Sequence, residues 1–269
     1  MLGELVKEAA LPCSVTEIAG NRHLVIAPEP PEEEYLRRPP VILVAHYDRA
    51  QGSPGANDNS AAVFILLETA VKLKKENEKN WMVIFTDKEE LKTGESIQDQ
   101  GAYTLAAGLK NTKLEKAKIF CFDACGAGDT LLISTTIEYL LKKESGGEKI
   151  RDSLMELRNA ALGTARSLGM AKVLLAPVPF SDDAGFFRAG LAAQNISTLP
   201  SAECMQYVSE LRKNQEFAEA LINAGQKQKG RLRSIPETWR YLNTPGDSYP
   251  RLTPQHYRTW IRFAEGLCK

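Results

Sequence analysis

Val41-Ile42-Leu43-Val44-Ala45, preceded by Pro39-Pro40 and followed by His46-Tyr47-Asp48, is the stretch on which the fold turns. An unbroken β-branched apolar run cannot alternate between core and solvent. It reads as a strand covered on both faces, as in a mostly parallel sheet. Similar runs recur at Trp81–Thr86 and Lys118–Phe122, with later candidates at Val173–Ala176 and Gln194–Leu199. Upstream, residues 1–38 read as a helix, a short strand at His23–Ala27, and a polar turn through Pro31-Glu32-Glu33-Glu34.

Helical patterns fill the intervals. Asn59 to Lys75 is apolar nearly all round in its first half, which suits a helix packed on a sheet. Residues 147–169 read as an amphipathic helix, and 254–267 as a terminal one after Thr253-Pro254. Strands alternating with helices imply an α/β fold, a three-layer αβα sandwich on a mixed, mostly parallel central sheet. With no repeat, low-complexity tract or linker, residues 1–269 read as a single domain, and Ser145-Gly146-Gly147 as a loop within it.

Composition narrows the classes of function. Apolar residues make up 43% and charged residues 25% of the 269, an ordinary globular profile. Lys plus Arg and Asp plus Glu both number 34, so no basic excess points to nucleic acid. No apolar stretch reaches the ~18 residues of a membrane-spanning helix. Met1 to Glu8 lacks the basic and apolar segments of a secretory signal. Five scattered cysteines (Cys13, Cys121, Cys125, Cys204 and Cys268) read as reduced thiols of a cytoplasmic protein.

The chemistry collects where the strands end. Open α/β sheets bind ligands beyond the carboxyl ends of their strands. The three central runs end in Ala45-His46-Tyr47-Asp48, Thr86-Asp87-Lys88-Glu89-Glu90 and Phe122-Asp123-Ala124-Cys125. A turn-rich loop, Gly55-Ala56-Asn57-Asp58-Asn59-Ser60, lies between the first two. Carboxylates crowded at one edge repel unless a cation neutralises them. Imidazole plus carboxylates suits zinc, with manganese or cobalt as substitutes. Two ions sharing a carboxylate would clamp an attacking water and a carbonyl. The adjacent Glu89 and Glu90 allow one to bind metal and the other to take a proton.

These residues, with Pro54-Gly55-Ala56-Asn57-Asp58-Asn59, resemble the ordered motifs of the di-zinc aminopeptidases. That family includes bacterial leucyl-type aminopeptidases and animal-type glutaminyl cyclases. Gln100-Gly101-Ala102, Ser181-Asp182-Asp183-Ala184-Gly185-Phe186 and Asn243-Thr244-Pro245-Gly246-Asp247-Ser248 also match. The resemblance spans about residues 40 to 267 and implies a zinc-exopeptidase fold. It implies that His46 and Asp123 bind one metal, Asp58 bridges two, and Glu90 binds the second. Glu89 becomes the general base, Asp48 the acceptor that holds the His46 ring, and the Asp58–Asn59 peptide cis.

One position departs from the pattern. Asn243 stands where the family carries a histidine that completes the second metal site. An amide oxygen is a poor zinc ligand beside imidazole. The resemblance therefore implies a metal-dependent aminopeptidase acting on peptides or small aminoacyl substrates. A catalytically silent binding protein is the alternative, and a glutaminyl cyclase the third. Cyclases hold their single zinc through the positions of Asp58, Glu90 and Asn243, so the substitution weighs most against them. Tyr47, Phe180, Phe186 and Phe187 either line a substrate pocket or pack in the core.

Overall fold

A computed structural model of the protein describes residues 2–28, 38–141, 148–213 and 235–269. The turn expected at Pro31 to Glu34 and the loop at Ser145 to Gly147 lie outside these residues. Helix α1 (Leu2–Glu8) leads into strands β1 (Cys13–Ile18) and β2 (Asn21–Ile26). Then follow β3 (Val41–His46), α2 (Ala61–Lys75), β4 (Trp81–Thr86), α3 (Gly101–Lys110) and β5 (Lys118–Phe122). Next come β6 (Thr130–Ser134), α4 (Thr136–Leu141), α5 (Glu148–Ser167), β7 (Val173–Ala176), α6 (Asp182–Arg188) and β8 (Ala193–Leu199). The chain continues through α7 (Ser201–Lys213), α8 (Glu237–Tyr241) and α9 (Tyr257–Cys268).

Among the described residues the strands form one mixed sheet in the order β1-β2-β4-β3-β5-β8-β6-β7. Its centre, β4-β3-β5-β8, is parallel throughout. The register pairs His46 with Thr86 and Val44 with Cys121. The segments after β3, β4 and β5 therefore leave the sheet at the same edge. This is an α/β fold with helices on both faces.

The unbroken run at Val41–Ala45 has its explanation in the two layers. Val41, Leu43 and Ala45 join one core with residues of α2, α5 and α9. Ile42 and Val44 face the other way, into a core shared with α3 and Phe186 of α6. All five are 5% exposed or less. Each large aliphatic side chain taken fully out of water contributes about 1.5–3 kcal/mol. Polar alternation on either face would forfeit that stabilisation.

The structure adds elements that the apolar pattern does not signal. β1 is exposed along almost its whole length, so no apolar alternation marks it. Its hairpin turns at Ala19 and Gly20, both at positive φ (51° and 81°), as short hairpin turns require. β6 is a short buried apolar run, which pattern alone cannot assign to strand or helix. At the C-terminus a 3-10 turn at Pro254–His256 precedes α9. Phe186 and Phe187 are buried in separate apolar clusters, and Phe180 packs against that of Phe187. Tyr47 is 40% exposed.

α9 lies on α2 and completes the layer behind the site. Its Phe263 is fully buried, with its ring 6.4 Å from that of Phe122, the residue before Asp123. Phe263→Ala is expected to cost about 3–5 kcal/mol of unfolding free energy, measured by urea denaturation.

Candidate metal centre

Three backbone segments deliver the site, and each is tied down by hydrogen bonds. His46 is the last residue of β3. Asp123 follows β5 and continues the ladder, its N–H donating to the Ile196 carbonyl at 3.0 Å. Asp58 comes from the loop that enters α2. There the Asp247 carboxylate accepts the N–H groups of Asn57 (2.8 Å) and Asp58 (3.0 Å). The Asn57 side-chain oxygen accepts the Gly126 N–H at 2.7 Å, and Asn59 Nδ2 donates to the Phe122 carbonyl at 2.8 Å. Gly55 opens this loop at φ 65°, where an added Cβ would sit 2.9 Å from the Asp58 carbonyl oxygen. The Asp58–Asn59 peptide is cis.

These segments converge on the His46 imidazole, which is fully buried. His46 Nε2 lies 3.1 Å from Asp58 Oδ1 and 3.6 Å from Asp123 Oδ1. One ligand atom from each of the three falls within 4.8 Å of the others. On the far side of the ring, Nδ1 is 3.3 Å from the Asp48 carbonyl oxygen and 3.5 Å from Asp48 Oδ1.

Asp48 does more than face the imidazole. Its two carboxylate oxygens accept the backbone N–H groups of Glu89 (3.1 Å) and Glu90 (3.0 Å). One side chain thus holds both the His46 ring and the turn that carries the paired glutamates. Gln100 Nε2 donates to Glu89 Oε1 at 3.3 Å. Lys88, which precedes the pair, forms an ion pair with Glu95 at 3.1 Å.

Charge in so small a volume changes proton affinities. Burial pulls the His46 pKa down, but its contacts with Asp123, Asp48 and Asp58 outweigh that and hold it well above the usual value. Loss of solvent pushes Glu89 well above the carboxylate range; His46 opposes this, and Glu90, Asp123 and Asp58 add to it. Asp48 goes the other way: burial would raise it, yet His46 and the two N–H groups pull it down. Asp182 and Asp183, at the start of α6, are each pushed up to about 7, chiefly by burial.

The residues present fit a metal ion. His46 Nε2 and Asp123 Oδ1 are buried and lack hydrogen-bond partners among the described residues. Donor atoms left so, aimed at one point, match the needs of a divalent cation. Imidazole and carboxylate suit zinc in particular. Glu90 lies outside the His46–Asp58–Asp123 group, although Asp48 holds its backbone. Asn243 sits at positive φ (63°) on the loop leading to Asp247, its side-chain oxygen buried without a hydrogen-bond partner among the described residues.

An open cleft of about 480 Å³ adjoins the site, lined by Asp48, Glu90, Asp87, Arg49 and the hairpin turn at Gly20. A larger groove, about 610 Å³, runs between α7 and β7 and contains none of the clustered carboxylates. Three residues close to the chemistry carry no signal of their own in the sequence: Gln100, Asp183 and Asp247. Their stretches match the family motifs, but Gln100 bonds Glu89 eleven positions back and Asp247 bonds Asn57 190 positions back.

A family model described as peptidase family M28 matches residues 25–265. Among solved structures, a zinc aminopeptidase from Bacillus subtilis is similar at 19% identity and a TM-score of 0.58. It covers 91% of this chain, which spans about half (49%) of that one. The LapA aminopeptidase of Legionella pneumophila is similar at 14% identity and a TM-score of 0.62, over 99% of this chain and 60% of that one. A glutaminyl cyclase from Macrostomum lignano matches at 15% identity and a TM-score of 0.60, over 99% and 79%. At such identities the likeness is one of fold. No curated protein sequence matches the chain.

The raised carboxylates of α6 give a pH dependence. Unfolded, Asp182 and Asp183 ionise near the ordinary value of about 3.9; folded, each ionises at about 7. Their stabilising contribution is complete below about 4 and lost as pH rises through about 7. The metal-free protein is therefore expected to unfold more easily at about pH 7 than at about pH 5. Asp183→Asn, which keeps an acceptor for the Ser181 N–H, should flatten that slope in urea titrations.

Proposed function

The chain belongs to peptidase family M28, and from that premise we propose that it is a metal-dependent aminopeptidase that removes N-terminal residues from peptides or small aminoacyl substrates. The observation that carries this reading is the meeting of His46, Asp58 and Asp123 on one point, with Glu89 on a turn fixed from the same side. The aminopeptidases among the structural relatives support it.

In this proposal His46, Asp58 and Asp123 hold one zinc ion, for which manganese or cobalt can substitute. Bound there, the ion would supply Lewis acidity, polarising the scissile carbonyl and making water a better nucleophile. Asp48 orients the imidazole through Nδ1, the kind of support worth about 10- to 100-fold in metal affinity or activity. By accepting the Glu89 and Glu90 N–H groups, Asp48 also sets the height of the glutamate turn over the His46 ring. Glu89 takes the proton from the attacking water and returns it to the leaving amine. Its raised proton affinity suits both halves of that task. Carboxylates at the rim, Glu90 among them, attract the free N-terminal amine of the substrate. The free cysteines, four of them buried, support a cytoplasmic place of action.

The second metal position is the weak one. Glu90 and Asp58 would need a third donor, and Asn243 offers only an amide oxygen. We therefore assign one tightly held zinc per chain. The same residue favours the alternative, a family member without catalysis that acts by binding.

Two measurements test these points. Glu89→Gln is expected to leave zinc content and fold intact and to lower kcat by about 10²- to 10⁴-fold on aminoacyl substrates. A wild-type protein as slow as the variant would leave the binding role. Elemental analysis should find one zinc in the wild type and a second equivalent in Asn243→His. Two tightly held ions in the wild type would overturn the single-metal assignment.

A further inference from the structure

Gln100 is 2% exposed, so its amide is a buried polar group that needs a partner. Its Nε2 donates to Glu89 Oε1 at 3.3 Å, the direction that suits the ionised carboxylate a general base presents. The other end, Oε1, is buried without a hydrogen-bond partner among the described residues. An orphaned amide oxygen is destabilising. The donor end, and not the acceptor end, is thus the part of the amide that the fold uses.

The backbone on both sides is shaped around this contact. A Cβ on Gly101 would lie 1.8 Å from the Asp87 carbonyl oxygen, and the Gly101 N–H donates to the Lys88 carbonyl at 3.1 Å. The start of α3 is thereby pressed against the turn that carries Glu89. From the other side, a Cβ on Gly185 of α6 would lie 2.4 Å from Gln100 Oε1. Two positions without side chains thus let Gln100 sit between α6 and the glutamate turn.

We propose that Gln100 is the positioning residue of Glu89. Asp48 fixes the backbone of the turn, and Gln100 fixes the carboxylate itself. With Oε1 engaged by the amide, Oε2 is left as the oxygen that exchanges the proton with water. The inference rests on the assignment of Glu89 as general base.

A double-mutant cycle in kcat tests it, using wild type, Gln100→Met, Glu89→Gln and the double variant on one aminoacyl substrate, with KM and zinc content measured alongside. Gln100→Met keeps the length and removes the donor. It is expected to lower kcat by about 10- to 100-fold with KM and zinc content unchanged. In the Glu89→Gln background the same exchange should cost nothing further, because there is no carboxylate left to hold. Equal losses in both backgrounds, or a loss of zinc, would make Gln100 a structural residue and overturn the proposal. Wild-type turnover in Gln100→Met beside an inactive Glu89→Gln overturns it while leaving the base assignment standing. Full turnover in Glu89→Gln removes that assignment and this inference with it. If Gln100→Met does not fold, Gln100→Asn, which stops one methylene short of Glu89, replaces it with the same expected loss.

Discussion

Repulsion between carboxylates is the constraint around which this protein is organised. Asp48, Asp58, Asp123, Glu89 and Glu90 are brought to one sheet edge, and a single buried imidazole is the neutral or cationic group at their centre. A chain folds in this way only if each anion has something to hold it. Asp48 receives two backbone N–H groups, and the Asp58 loop is anchored through its N–H to Asp247. The remaining negative charge faces His46 Nε2, where a divalent cation would balance it.

The sheet supplies the precision that this arrangement needs. Because β3, β4 and β5 run parallel and in register, small shifts in any one would move a donor by a whole residue and turn it to the opposite face. The double-sided apolar core prevents such slips. Strand residues alternate between the α2–α9 layer and the α3–α6 layer, so a one-residue slip would exchange the contents of two packed cores. The geometry around His46 is thus a consequence of burial remote from it.

The central fold and the cluster were legible in the sequence for a common reason. Apolar runs at Val41, Trp81 and Lys118 declare buried strands, and polar groups just past a buried strand must lie at its rim. What stayed hidden has a physical cause in each case. The exposed β1 carries no apolar alternation, and β6 is too short to have a readable period. The Gln100–Glu89 contact depends on how α3 is pressed against a turn eleven positions earlier. Asp247 reaches residues 190 and 189 positions away, and no local pattern encodes that. The substitution at Asn243 was visible at once, whereas its left-handed backbone was not.

Asp247 also has a bearing on how the protein is made. The strands that hold or lead into His46, Glu90 and Asp123 are made within one stretch of chain, and their sheet can form from nearby segments. The loop with Asp58 is different, since its N–H groups are capped by a carboxylate 190 and 189 positions further along the chain. Thr253, later still, stitches Gly126 and Gly128 beside Asp123. A nascent chain can therefore hold a nearly complete sheet while its anionic pocket remains open. The pocket closes only when a segment 190 positions downstream docks on the Asp58 loop, which makes its assembly a late event in folding.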